Sequence, residues 1–311
     1  PRSTPLYSSA ASDVYKRQMV VSLEMAFLHG GRPQRVLEAI WTQPDPMTRW
    51  QGDTVTESNA NPVTPSPSHL ADDLLVLLAH PNIASKEPIV RTYDHEVQGR
   101  TVIKPLVGIR SDGPGDAAVL QPLRTTMRGI AIGCGINPRY GLTDPYWMAL
   151  ACVDEALRNI VAVGGDPRQT AILDNFCWGD PRQPDRMAGL VRATAGCYDA
   201  ALAYGTPFIS GKDSLNNEYR AADGTRTPIP ATLLISAMAI VPDVRYSITM
   251  DLKEADNRIY LVGLTRDELL GGHYATDRQS ALPKVDLALA LVLMSAVHTA
   301  CLLYTSDAAD E

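Results

Sequence analysis

Polar side chains able to handle a charged ligand crowd residues 207–220, PFISGKDSLNNEYR. A strand-like apolar run ends at Ser210, and Lys212, Asp213 and Ser214 follow a glycine. Two further groups sit where short apolar runs end: Asp116 after GPG, and Asp174 with Asn175 at the end of QTAILD. Strand ends in open α/β sheets converge on one edge, where ligands bind. A fourth group, CGINPRYGLTDP, offers Asn137, Arg139 and Asp144 ahead of a helix, whose free N–H groups and dipole favour an anion such as phosphate. Carboxylates suit Mg²⁺ and cations suit phosphates, so together the groups point to a nucleotide site. Each alone is better explained as turn chemistry, and Asp144 as a helix cap. GPGDAA lacks the GK[ST] of a P-loop and the third glycine of a dinucleotide fingerprint. No Ser-His-Asp or Cys-His pattern stands out, and His80, His95 and His273 are isolated in sequence.

The elements that must position these groups alternate. DAAVLQP and GIAIGCG are short apolar runs bounded by glycines and read as strands, and TDPYWMALACVDEALRNIVAVGG is a helix with Thr143 or Asp144 as cap, Pro145 in its first turn and Gly164-Gly165 ending it. QTAILD is a buried strand, PDRMAGLVRATAGCYDAALAYG a helix, TPFIS a strand and ATLLISAMAIV a long central strand after a hairpin-like insert. RIYLVGL and a helix from Asp286 begin a further unit. Upstream, Val21 to Phe27 alternate as a strand would, residues 42–68 read as a linker, and Ser68 caps a helix whose Leu70, Leu74, Leu77 and Leu78 share a face before Pro81. Strands alternating with helices imply an α/β or α+β core.

The bulk numbers agree. The 311 residues are 45% hydrophobic, 20% charged and 6% aromatic, which is ordinary for a globular chain. A net charge of −7 argues against a general nucleic-acid or membrane-surface binder, which needs a basic face. The five cysteines are far apart, four in segments that read as buried, so reduced thiols in a cytoplasmic protein are expected. The apolar run from Leu287 is shorter than the ~20 residues a span needs and reads as a buried helix.

The two ends read as adapter sequence. One reverse translation of SSAASDVYKRQ has a complementary strand that, shifted by one base, encodes CLLYTSDAAD, which is Cys301 to Asp310. Residues 1–18 also lack the apolar core of a signal peptide. Residues 1–18 and 301–311 are therefore set apart, and the remainder is expected to be an internal piece of a longer protein.

HPNIASKEPIVRTYDHEVQG, GPGDAAVL, NPRYGLTDPYWMALACVDEALRNIVAVGGDP, DNFCWGDPRQPDRM and SGKDSLNNEY resemble phosphoribosylformylglycinamidine synthase, within the aminoimidazole-ribonucleotide-synthetase-like superfamily. VPDVRYSITMDLKEADNRIYLVGLTRDELLGG extends the likeness, which runs from about Met19 to Ala300. The resemblance is to the second of two homologous halves, each pairing an α/β domain that contributes to a shared barrel with an α+β domain. It implies the tail of a preceding domain at 19–44, a linker and helix at 45–107, an ATP- and substrate-binding α/β domain at 108–245 and the start of an α+β domain at 246–300.

The activity implied is an ATP-dependent ligation: ATP activates the formamide oxygen of formylglycinamide ribonucleotide, and ammonia from a glutaminase displaces phosphate. By position, Asp174 and Gly211 would touch ATP and Ser214 the ribonucleotide, with Asn137 and Arg139 as further substrate contacts. Many members carry a Mg²⁺-ligating asparagine after this glycine; Lys212 stands there instead, which would put Lys212 on phosphate and leave the metal to Asp213, with Asp116 as a second carboxylate. The catalytic histidine belongs to the first half, so no catalytic residue is expected here and this stretch alone is expected to be inactive. Two other readings are a different ATP-using enzyme of the superfamily, such as aminoimidazole ribonucleotide synthetase or a selenophosphate- or thiamine-phosphate-type kinase, and a non-catalytic half that binds nucleotide for structure.

Overall fold

In a computed structural model, the structure describes residues 8–12, 19–24, 35–43, 67–96, 98–274 and 280–307. The chain forms two compact units, residues 1–38 and 39–311. In the first, β1 (Ser8–Ser12) pairs antiparallel with β2 (Met19–Glu24), so the strand expected at 21–27 starts earlier and finds its partner among residues that the sequence reading set apart. Most of the expected linker lies outside the described residues.

The second unit begins with α1 (Pro67–Ala79) and the single turn α2 (Glu87–Val90). Ser68 is not the cap expected: the helix already starts at Pro67, whose fixed φ suits a first helical position. Strands β3 (Thr101–Ile103), β4 (Leu106–Val107), β5 (Gly113–Pro114), β6 (Ala118–Leu120) and β7 (Gly129–Ile136) follow. After the turn α3 (Pro138–Gly141) come α4 (Pro145–Ala162), β8 (Thr170–Cys177), α5 (Pro184–Tyr204) and β9 (Phe208–Ser214). The hairpin β10 (Glu218–Arg220) and β11 (Arg226–Pro228), then β12 (Thr232–Val241) and α6 (Leu287–Asp307), complete the unit.

One six-stranded mixed sheet organises it, in the order β3-β6-β7-β12-β8-β9. The long apolar strand β12 is central, antiparallel to both β7 and β8. β8 and β9 are parallel, joined by α5, the helical crossover that parallel neighbours require. Along β12, Leu233, Ile235, Ala237, Ala239 and Val241 are buried, and alternate residues face the other way. The buried face packs under α4, whose Met148, Leu150, Val153, Leu157 and Ile160 are fully enclosed. Gly135 makes this contact possible: a Cβ there would lie 2.0 Å from the Cys152 carbonyl oxygen.

The opposite face of the sheet is open among the described residues, with Ile132, Ile136 and Met238 exposed. The sheet does not close into a barrel; its edges are β3 and β9.

Several expectations change. The strand expected at TPFIS forms as β9, an exposed edge strand, because nothing among the described residues pairs with its outer side. It also runs on through Gly211, Lys212, Asp213 and Ser214, since backbone pairing with β8 does not depend on apolar side chains. RIYLVGL forms no ladder, and Ile259, Tyr260, Leu261 and Leu264 are exposed. Helix α6 buries one stripe only, Ala290, Met294 and His298, while Val292 is exposed. All five cysteines are free thiols, but only Cys152 and Cys197 are buried; Cys134 is exposed because it faces the open side of β7. No helix among the described residues is long and apolar enough to cross a membrane.

Candidate functional site

The parallel ladder brings two of the expected groups side by side. Asp174 on β8 and Gly211 on β9 are register partners. Asp174 also lies opposite Ile235 of β12, and antiparallel partners share a face, so its carboxylate points to the helix-covered side. It lies close enough to the buried Cys197 on α5 for its charge to raise that thiol's pKa. Its Oδ1 occupies the space a side chain on Gly211 would need: a Cβ built there would fall 2.1 Å away. Burial raises the Asp174 pKa, and the charge of Asp213 raises it further. Asp213 pairs with Phe176, two residues along from Asp174, so both carboxylates look out of the same face.

Strand alternation sends the rest of the cluster the other way. Lys212 and Ser214 lie opposite Asn175 and Cys177 on the open face, where the Lys212 ammonium donates to Ser214 Oγ. The polar stretch SGKDS thus presents two groups of residues back to back: Gly211 and Asp213 beside Asp174 on one side, Lys212 and Ser214 beside Asn175 on the other. Both are reachable from the same exposed edge.

Asp116 does not join them. It precedes β6, four inter-strand steps from β9, about 19 Å at the usual spacing. A Mg²⁺ ion holds its ligands at ~2.1 Å, so Asp116 and Asp213 do not share one ion in this arrangement. Burial raises the Asp116 pKa. Among the described residues no group of three or more His, Cys, Asp or Glu side chains is placed to hold a metal. His80 and His273, distant in sequence, meet with ring centroids 4.7 Å apart and Asn82 bridging them.

At the C-terminal end of β7, Asn137 donates from Nδ2 to Glu155 Oε2 at 2.8 Å, and the Ile136 N–H donates to the same oxygen at 2.8 Å. Burial raises the Glu155 pKa. Arg139 follows in α3 and is already engaged by a neighbouring group. Asp144 is structural: it caps α4 by accepting from Tyr146 N at 2.9 Å and ties α5 to it through Arg192 at 2.5 Å. The sequence reading missed Glu155. Its signal was a pair of carboxylates, Asp154 and Glu155, interrupting the apolar pattern of α4 where the helix meets the strand end.

Residues 114–238, which include the sheet from β6 to most of β12, match the profile of the family described as AIR synthase related protein, N-terminal domain. Among curated proteins, the phosphoribosylformylglycinamidine synthase subunit PurL of Methanothrix thermoacetophila is 38% identical over 216 residues, 67% of this chain and 26% of that protein. The PurL subunit of Deinococcus radiodurans is 40% identical over 199 residues, 64% of this chain and 25% of its own length. The chain therefore spans about a quarter of the length of these relatives. Among solved structures, that of PurLQS from Thermotoga maritima superposes with a TM-score of 0.50 at 21% identity, covering 75% of this chain and 32% of that one, a likeness of fold. Over residues 114–238, which carry most of the mixed sheet, the chain is thus similar to the N-terminal domain of AIR-synthase-related proteins.

Proposed function

We propose that this chain is part of an ATP-dependent amidine synthase of purine biosynthesis, a ligase joining glutamine-derived ammonia to formylglycinamide ribonucleotide. The observation that carries the reading is the Asp174 carboxylate lying over the bare Cα of Gly211, in relatives' company named for that activity. A glycine lets backbone approach a phosphate closely. Two carboxylates on one face, one with raised proton affinity, fit a cation such as Mg²⁺. ATP would be held by Asp174 and Gly211, with Asp213 as metal ligand and Lys212 reaching phosphate around the strand edge. The ribonucleotide would be bound by Ser214, with Asn137 and Arg139 contributing from the β7 end. Bound ATP would supply the phosphoryl group that activates the formamide oxygen. The chain's own residues position and neutralise, and none of them is assigned a proton transfer.

In this reading residues 108–245 are the nucleotide-binding domain, 19–44 the tail of a preceding one, 45–107 a linker with its helix and 246–300 the start of an α+β domain, in a cytoplasmic protein. The partners are a glutaminase and a homologous half of the same protein, whose sheet would cover the open face bearing Ile132, Ile136 and Met238. The chain by itself binds nucleotide without turning it over. The test is calorimetric titration with Mg²⁺-ATP, followed by assay of amidine formation with the ribonucleotide and ammonium. Nucleotide binding that Asp174→Ala removes, with turnover only after this segment replaces its counterpart in a full-length relative, supports the proposal. Robust turnover by the chain alone, or no nucleotide binding, overturns it.

A further inference from the structure

The edge strand β9 is not held in place by its own side chains. Phe208 to Asp213 are all exposed, whereas β8 is anchored by the buried Ile172 and Phe176. Nor does the start of the ladder fix the rest. Ile172 pairs with Phe208 and Leu173 with Ser210, so Ile209 is an extra residue and pairing resumes after a shift. A strand without a buried face has a weakly specified register, and a slip of one residue turns every side chain to the other face. Here one such slip would bring Lys212 opposite Asp174 in place of Gly211, an opposite-charge pair that is itself favourable. Something beyond the strand must oppose it.

The chain is caught just past β9. The Trp178 N–H donates to the Ser214 carbonyl at 2.8 Å, the Asn217 N–H donates to the Trp178 carbonyl at 2.9 Å, and Leu215 packs half-buried against the core. Glu218 fastens this junction. Its side chain is 2% exposed, and Oε1 accepts from the Asp180 N–H at 2.9 Å, in the loop after β8, and from Arg186 Nη1 in the first turn of α5. Arg186 in turn offers its carbonyl to the Trp178 indole N–H at 3.0 Å. Glu218 Oε2 is buried without a hydrogen bond, and Arg226 of β11 lies 3.8 Å from it and 3.6 Å from Asp180 Oδ2. One buried carboxylate thus ties the hairpin after β9 to the loop after β8 and to the helix that joins the two strands. A slip of one residue displaces the strand by ~3.3 Å, which would strip Glu218 of these partners and leave a buried charge unpaired.

We propose that Glu218 is a positioning residue: it sets the register of β9 on β8 and thereby keeps Gly211, not Lys212, in front of the Asp174 carboxylate. Its effect on a ligand rests on the nucleotide reading above; its effect on the register does not.

The test traps the register by disulfide. In a Cys177→Ser chain, Asn175→Cys is combined either with Lys212→Cys, its partner in the held register, or with Asp213→Cys, its partner after the slip. Partners on neighbouring strands, about 5 Å apart, are within disulfide reach. Oxidised glutathione is the oxidant, and peptide mass spectrometry reads each bond. With Glu218 intact, the first pair is expected to close and the second to stay open. Glu218→Gln is expected to raise the second relative to the first at least fivefold. Because that variant leaves Arg186 without its counter-charge, it is repeated together with Arg186→Met, which removes both charges. Arg186→Lys alone keeps a cation and should preserve the held register. With Asn175, Cys177, Lys212 and Asp213 unaltered, the Glu218→Gln, Arg186→Met chain should bind Mg²⁺-ATP about tenfold or more weakly, at a temperature where melting shows it folded. An unchanged disulfide ratio in both Glu218 variants overturns the proposal, as does closure of the second pair with Glu218 intact. Loss of both disulfides means that the strand detaches and does not slip, which overturns it too. A shifted ratio with unchanged Mg²⁺-ATP affinity overturns the positioning role. If the unaltered chain binds no Mg²⁺-ATP, the nucleotide reading fails, and the disulfide ratio still decides whether Glu218 sets the register.

Discussion

The Asp174 carboxylate stands where a Gly211 side chain would be: its Oδ1 lies 2.1 Å from the position of an added Cβ. The two residues are 37 positions apart (211 − 174) and meet because β8 and β9 pair in parallel. The ladder is fixed by the burial of Ile172 and Phe176 on either side of Asp174, so the polar contact is placed by apolar neighbours.

Gly211→Ala should therefore act on the carboxylate before it acts on the fold. The methyl group must push Asp174 aside, whereas the exposed edge strand itself has room to adjust. Nucleotide affinity is expected to fall about tenfold or more, ~1.4 kcal/mol, with the melting temperature little changed. Calorimetric titration beside a thermal melt checks this. An affinity left intact would mean that the position of the Asp174 carboxylate does not matter to the ligand.

The raised pKa of Asp174 gives stability a direction with pH. The folded form holds its proton more tightly than the unfolded chain does, because burial and then the Asp213 charge oppose ionisation. Below the ordinary carboxylate range both forms are protonated and nothing changes. As pH rises from that range through the raised value, the folded form binds more protons than the unfolded one, so this contribution to stability is lost. Asp174→Asn should flatten the stability curve in that window, and Mg²⁺ should stabilise the unaltered chain more above it than below. Denaturant midpoints at several pH values, with and without Mg²⁺, measure both.

The sheet was largely legible in the sequence because its central strand announces itself: TLLISAMAIV is long, apolar and β-branched, and its burial alternates as a sheet strand requires. Helix α4 was legible at both ends, from Asp144 to Gly164, since capping is local chemistry. What was hidden is what partners decide. SGKDS reads as a loop by composition, yet becomes strand because β8 supplies the hydrogen bonds. Only that register reveals that Lys212 and Asp213 face opposite sides. RIYLVGL reads as an ordered element and stays unpaired, because strand formation needs a neighbour as well as a propensity. The adjacency of His80 and His273 is equally a product of tertiary contact.

Thiol chemistry gives an independent check of packing. Burial pushes the Cys152 and Cys197 thiols up to about 12, so almost no thiolate is present near neutral pH. Cys134 lies exposed on the open sheet face. Iodoacetamide at neutral pH should label Cys134 first and leave Cys152 and Cys197 unmodified until denaturant is added. Peptide mapping reads the order. Early labelling of Cys152 would contradict the packing of α4 on β7 and β12.

That packing is most exposed to test at Gly135. A Cβ there would meet the Cys152 carbonyl oxygen at 2.0 Å, the Ala156 nitrogen at 2.8 Å and the Cys152 carbonyl carbon at 3.0 Å. All three are helix backbone, which cannot swing away as a side-chain end can. Gly135→Ala must therefore lift α4 from the sheet or bend β7, and overpacking of this kind costs about 1–3 kcal/mol. The shift would also carry Glu155, which grips Ile136 N and Asn137 from the next turn of the same helix. The expected outcome is a lower denaturant midpoint together with faster labelling of Cys152. Gly224→Ala is the control: its site is open, with nothing within 4 Å of the added Cβ, but its φ of +86° still strains a methyl group, so it loses stability without exposing Cys152. If both variants lose stability and neither changes Cys152 labelling, the close approach of β7 to α4 does not govern the core.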